Sequence, residues 1–144
     1  MKIDINIQDL DKVAARFKKT GDALGATMTI PATEAMADLK RGVPPYPPML
    51  PRQKYKRTGI LGASFETDIK PLQRGVTMRF SNNAIQKGKR YAGWVISTER
   101  FGKVGPQAQI HQGRWYTMQK YTQGKIPDIL KIFHAWVKTI LSNP

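Results

Sequence analysis

The chain has 144 residues, of which 24 are Lys or Arg, 10 are Asp or Glu and none is Cys. This length predicts a single domain over residues 1–144. The lack of thiols excludes disulfides, thiolate catalysis and cysteine-based metal sites. No apolar run approaches the roughly 20 residues of a membrane span, and the first residues lack the apolar stretch of a signal peptide. We therefore expect a protein without membrane contact that stays where it is made.

The positive charge is concentrated in the middle of the chain. Residues 40–120 contain 16 Lys and Arg and three acids, whereas the remainder is nearly neutral, and the whole chain carries +14. Such a field attracts polyanions, although a basic surface also aids solubility or meets an acidic protein. Only 32 residues are Leu, Ile, Val or Phe, so we expect a modestly stable monomer that gains from a partner or an oligomer.

The N-terminal third predicts one strand followed by helices. Residues 2–8 alternate apolar and polar side chains, which is typical of a half-buried strand. Asp9 is suited to start a helix. Apolar residues then recur at helical spacing as far as Leu39. Pro31 interrupts this pattern, so we expect two helices, with Pro31 in the first turn of the second, or one helix that bends sharply.

Two extended basic loops are predicted, over residues 43–57 and 82–90. Five of the ten prolines fall within the first loop, which favours a polyproline-like conformation. Long irregular loops of this kind often carry function. The basic side chains expected to face DNA or a protein interface are Arg52, Lys54, Lys56, Arg57, Lys87, Lys89 and Arg90.

The middle and the end of the chain predict a hairpin, two short strands and a helix. Residues 63–70 and 76–81 alternate strongly, which indicates the hairpin. Residues 91–97 are predicted to form an apolar strand with Trp94 in the core, and residues 107–111 another short strand. An amphipathic helix is expected to begin at Pro127 and to pack on the apolar hairpin face. The fold class is therefore α+β, with an antiparallel sheet.

Chemistry-bearing patterns are weak throughout the chain. His111 has no local carboxylate partner, so a structural or contact role is expected, and His134 is expected on the surface of the C-terminal helix. Glu66, Asp68 and Lys70 share a strand face and resemble part of a nuclease metal site, but alternating charges on a wet hairpin face produce the same string. We therefore expect no enzyme, bound metal or cofactor.

Aromatic residues next to basic ones leave a role in base stacking open. Tyr46, Tyr55 and Tyr91 lie close to Lys or Arg in the sequence and are suited either to stack on bases or to pack within loops. A sequence-nonspecific nucleic-acid-binding protein that uses the basic loops is accordingly the alternative hypothesis.

Two short motifs resemble those of a known family. The first motif comprises Thr58, Gly59, Leu61 and Ser64 ahead of the hairpin. The second comprises Tyr91, Ala92 and Val95. Their order and spacing resemble the tail-completion or head–tail joining proteins of long-tailed phages, which are neck or minor tail components. The segment after Val95 departs from the family pattern.

This resemblance implies a structural, non-enzymatic virion protein of the phage neck or tail that acts in head–tail joining, in tail completion or as the tail terminator. Family members are α+β subunits that assemble into rings around the DNA path. The implied partners are further copies of the chain, other neck or tail proteins and the passing DNA, which would be contacted without sequence preference. The implied location is the virion, after assembly in the host cytoplasm.

Overall fold

The computed structural model describes residues 7, 9–20, 24–51, 58–100 and 103–142. The strand expected over residues 2–8 lies outside this part of the chain, except for Ile7, which is buried. The basic residues Arg52, Lys54, Lys56 and Arg57 also lie outside it.

Three helices form the N-terminal part. They are α1 (Leu10–Thr20), α2 (Leu24–Thr27) and α3 (Thr29–Arg41). Asp9 adopts a left-handed conformation (φ 63°), and its carbonyl accepts hydrogen bonds from the first turn of α1. The predicted break before Pro31 is confirmed. Pro31 lies in the first turn of α3, where a missing N–H has no helical partner to lose.

The central hairpin is confirmed, but its first strand begins and ends two residues later than predicted, and its second strand extends one residue further at each end. A short helix, α4 (Ile60–Ala63), leads into β1 (Phe65–Leu72), which pairs antiparallel with β2 (Gly75–Asn82). The register runs from Phe65 opposite Asn82 to Leu72 opposite Gly75. Pro71 therefore lies inside β1 instead of the turn, which a strand with a single hydrogen-bonded neighbour tolerates.

Short elements and one long helix complete the chain. They are β3 (Ile85–Gln86), β4 (Lys89–Arg90), α5 (Ala92–Ile96), β5 (Glu99–Arg100), β6 (Lys103–Val104), a 3-10 helix (Gln109–His111) and α6 (Met118–Ser142). β3 pairs with β4 and β5 with β6, each antiparallel. The predicted loop over residues 82–90 thus contains a small hairpin, and the strand predicted over residues 107–111 is a helical turn.

The strand predicted over residues 91–97 is wrong, because the segment is the helix α5. Ala92, Val95 and Ile96 are buried, and their spacing is that of one helical face. Trp94 lies off this face and is 50% exposed, so its predicted core position is also wrong. Ser97 ends the helix in a left-handed conformation.

The C-terminal helix begins at Met118, nine residues before its predicted start. Pro127 lies inside α6, where it removes the hydrogen bond that its own N–H would donate one turn back. The buried residues Met118, Thr122, Ile129, Phe133 and Val137 show that the segment ahead of Pro127 belongs to the same helix face.

α3 lies at the centre of the core and contacts both the hairpin and α6. α6 reaches the hairpin where Tyr121 approaches Phe80, with ring centroids 6.4 Å apart. Most of its packing is against α3 and α1, including Trp136 stacked on Phe17. The α+β fold class with an antiparallel hairpin and a C-terminal helix is confirmed.

Candidate functional site

A partly open cleft of about 690 Å³ lies between the proline-rich segment, α4, α5 and the 3-10 helix. Its walls are mainly apolar and aromatic. The lining residues are Tyr46, Leu50, Thr58, Gly59, Leu61, Gln86, Tyr91, Trp94, Val95, Ile110, His111, Arg114 and Trp115. Clefts of this size and composition are typical of ligand and partner binding.

The cleft brings together the two motifs that the sequence analysis singled out. Thr58, Gly59 and Leu61 come from the first motif, and Tyr91 and Val95 from the second. Gly59 precedes α4 with φ 75°, a left-handed conformation that glycine adopts without strain.

The remaining motif residues stabilise the helices beside the cleft. The Ser64 hydroxyl donates to the Ile60 carbonyl at 2.6 Å, which closes the single turn of α4. Ala92 is buried and starts α5. The Tyr91 N–H donates to the Ala84 carbonyl at 3.1 Å, which fixes α5 to the chain that follows the hairpin.

Tyr46 forms part of one wall of the cleft and is held there by two contacts. The Gly62 N–H donates to its hydroxyl at 2.8 Å, and its ring meets Trp115 edge to face at 5.3 Å. These contacts assign Tyr46 a packing role within the proline-rich segment. Tyr55 lies outside the described residues.

The other wall depends on Gln107, whose role sequence reasoning did not identify. Its buried amide donates to the Val95 carbonyl at 2.5 Å and to the Trp115 carbonyl at 3.1 Å. The Ala108 N–H donates to the Trp94 carbonyl at 2.9 Å. These hydrogen bonds hold the segment after β6 against α5. Ile110 and Arg114 belong to this segment and line the cleft.

His111 lies in this wall with its ring edge to face against Trp115. Its Nδ1 is buried and has no hydrogen-bond partner among the residues that the structure describes. Burial, and then the nearby Arg114 guanidinium, lower the pKa of His111 from its usual value. The arrangement favours a neutral imidazole. His134 is half-buried on α6.

The second set of predicted basic residues surrounds the turn of the small hairpin. Lys87, Lys89 and Arg90 are all exposed, and Lys87 adopts a left-handed conformation (φ 50°). Gln86 and Tyr91, on either side of this set in the sequence, line the cleft. The basic hairpin therefore borders the cleft.

The acidic residues of β1 are engaged with neighbouring side chains. Asp68 lies 3.5 Å from the Lys70 ammonium, with both side chains well exposed, and the Asn83 amide donates to the Glu66 carboxylate. Within the described residues, no three His, Asp or Glu side chains are grouped closely enough to hold a metal ion.

Comparisons with protein families, curated proteins and solved structures find no match to this chain. In the part of the chain that the structure describes, no helix has the length and hydropathy needed to cross a membrane.

Proposed function

We propose that this protein is a non-enzymatic structural subunit of the phage neck or tail that works as a ring-forming oligomer in the virion. The proposal begins from the two sequence motifs, and the main structural feature in its favour is the long central hairpin. Among the described residues, β1 and β2 pair only with each other.

The hairpin packs on α3, but among the described residues it is a two-stranded sheet in which each strand keeps one open edge. Six of the eight residues of β1 are exposed, and unpaired strand edges are ready templates for pairing with another chain. A neighbouring subunit in a ring that pairs with the edge of β1, or covers the exposed face of the hairpin, would bury these residues. The low content of Leu, Ile, Val and Phe is consistent with a subunit of this kind.

Electron microscopy of the purified protein tests the proposal. Class averages should show closed rings, because a head-to-tail interface that repeats by rotation closes on itself. A Leu72→Asp variant adds a charge at the exposed end of the hairpin and should reduce ring formation if that end contacts the neighbour. Particles of monomer size alone, in wild-type protein at every concentration, would contradict the proposal.

Nucleic-acid binding is retained as the second candidate because the exposed basic hairpin borders the cleft that the half-exposed Trp94 lines. Cationic grooves with exposed aromatic rings are the usual means of binding single strands. On this hypothesis Lys87, Lys89 and Arg90 contact phosphates, together with the basic residues at positions 52–57.

A salt titration of oligonucleotide binding tests this candidate. Replacing Lys87, Lys89 and Arg90 with Ala should weaken binding and reduce the slope of log K against log salt by roughly 2–3. The matched control replaces the exposed Lys40, Lys120 and Lys138, which lie outside the two basic loops. Binding that is absent, or insensitive to salt, would eliminate the hypothesis.

A further inference from the structure

We infer that the aromatic cleft binds a short acidic segment of another protein, which packs one large apolar side chain against Trp94 and Ile110. This inference goes beyond the proposed function, because it would hold equally for a protein that forms no ring.

Three large apolar side chains of the cleft are at least half exposed to water. Leu50, Trp94 and Ile110 are 52%, 50% and 74% exposed, respectively, and all three line the cleft. Large apolar side chains gathered at one place on a surface are typical of interaction sites. A concave site with aromatic walls suits a single anchor side chain, since such anchors carry most of the energy of an interface.

The contacts that hold the cleft walls in place support the same conclusion. Tyr46 is held by the Gly62 N–H and by the edge of Trp115, and Gln107 ties α5 to the segment that carries Ile110. A preformed cleft loses little conformational entropy when a partner binds, which makes even a short segment an adequate ligand.

Charge complementarity identifies the chemistry of the partner. Arg114 is the charged residue among the described cleft residues, and no acid accompanies it. Lys87, Lys89 and Arg90 lie beside the cleft, and residues 40–120 as a whole contain only three acids. Carboxylates on either side of the anchor would meet this field, which accelerates association and disfavours basic partners.

Two other occupants, a nucleic acid and a second copy of this chain, fit the cleft less well. A nucleic-acid groove needs several cations that follow the phosphates along its length. Within the described lining the charged residue is Arg114, whose guanidinium already donates to the Pro48 carbonyl at 3.1 Å, and Lys87, Lys89 and Arg90 lie beside the cleft and not in its lining. In a second copy, most of the exposed apolar residues, for example Met49, Leu72 and Ile85, belong to the same basic region. Placing that region against the cleft would therefore bring like charges together.

Fluorescence anisotropy with defined peptides tests the inference. The probe is a fluorescein-labelled nine-residue peptide with Leu-Phe at its centre and Asp and Glu on both sides. We expect saturable binding to the full chain. Replacing Leu-Phe by Ser-Ser, or the acids by Lys, should each weaken binding about tenfold or more, because the anchor and the charges each contribute.

Matched variants of the protein locate the site. Ile110→Ser should weaken peptide binding about tenfold, whereas Ile30→Ser, at a position 65% exposed on α3, should leave it within about twofold. Both side chains are exposed, so both variants should fold. Trp94→Ala, checked for folding by circular dichroism, should reproduce the loss.

The inference is overturned by any of four results. These are no binding, equal binding of the Ser-Ser peptide, equal loss in the Ile30→Ser control, and full displacement of the peptide by a 15-nucleotide oligo-dT that itself requires Ile110. Ring assembly is measured separately, so rings without peptide binding would refute this inference and leave the proposed function standing.

Discussion

Gly25 and Gly124 both lie in helices, yet their surroundings differ completely. A Cβ on Gly25 would lie 1.6 Å from the Leu72 carbonyl oxygen and 2.7 Å from that of Gly75. Both atoms belong to backbone, which cannot yield as a flexible side chain does. The missing side chain thus allows α2 to touch the end of the hairpin. A Cβ on Gly124 would meet nothing within 4 Å.

Substitution of the two glycines should therefore change stability in opposite directions. Gly25→Ala is expected to lower the free energy of unfolding by about 1–3 kcal/mol through overpacking. Gly124→Ala should raise it by about 0.5–1 kcal/mol, because alanine is the better helix former. Urea denaturation measures both. A neutral or stabilising Gly25→Ala would contradict the close contact between α2 and the hairpin.

His111 should make stability depend on pH near neutrality. Its folded pKa is lowered from the usual 6.5, chiefly by burial, so folding favours the neutral ring. The unfolded chain then binds the proton more readily. Stability should be full above about pH 6.5 and fall as the pH drops through the folded pKa.

His111→Phe removes this titration and keeps a ring against Trp115. Urea midpoints at about pH 7.5 and 5.5 should differ less in this variant than in the wild type. The substitution also removes the buried nitrogen that lacks a hydrogen-bond partner among the described residues, so stability at the higher pH should be retained. An unchanged pH dependence would show that other groups cause it.

At the level of elements, α5 shows why the sequence predicts a strand where the structure has a helix. Aromatic and β-branched residues in the segment 91–97 favour a strand by composition. The buried positions Ala92, Val95 and Ile96 instead follow a helical spacing, which could have been read from the sequence. The hydrogen bond from the Gln107 amide to the Val95 carbonyl could not have been predicted from the sequence, because it joins residues 12 positions apart and its acceptor is a backbone atom.

The hairpin and α6 were predictable to different degrees. Strict alternation identified the hairpin, because one face of each strand is more buried than the other. The predicted start of α6, at Pro127, is too late in the chain, because proline usually marks the beginning of a helix. In this chain Met118 and Thr122 continue the buried face ahead of Pro127, so tertiary packing outweighs the local signal.

Asn82 connects α4 to the end of the hairpin. Its buried side-chain amide donates to the Leu61 carbonyl at 2.7 Å, and its oxygen accepts from the Ala84 N–H at 3.0 Å. Asn82→Ala should lower the free energy of unfolding by about 2 kcal/mol, because the buried Ala84 N–H loses this acceptor and the Leu61 carbonyl is left with the longer bond of 3.4 Å from the Ser64 N–H. It should also weaken any ligand binding in the cleft, which Leu61 lines.

The adjacent Asn83 provides the control for this change. Asn83 is only half-buried, and its amide bonds to the exposed Glu66 carboxylate. Asn83→Ala should cost less than about 1 kcal/mol in urea denaturation. Equal losses in the two variants would mean that Asn82 does not hold α4 in place.

At the scale of the whole molecule, the charge of +14 and the open-edged hairpin have opposing effects. Like charges oppose association between copies, whereas open strand edges and exposed apolar residues favour it. Salt separates the two effects, because it screens repulsion between subunits. Salt should therefore strengthen self-association and weaken contact with nucleic acid.

Native mass in solution, measured by light scattering across protein and salt concentrations, tests the central claim most directly. A ring-forming subunit should give one defined multiple of the 16.3 kDa chain mass, and that oligomer should persist or become more populated as salt is raised to about 0.5 M. A mass of 16.3 kDa at every protein and salt concentration would contradict the proposed ring-forming function.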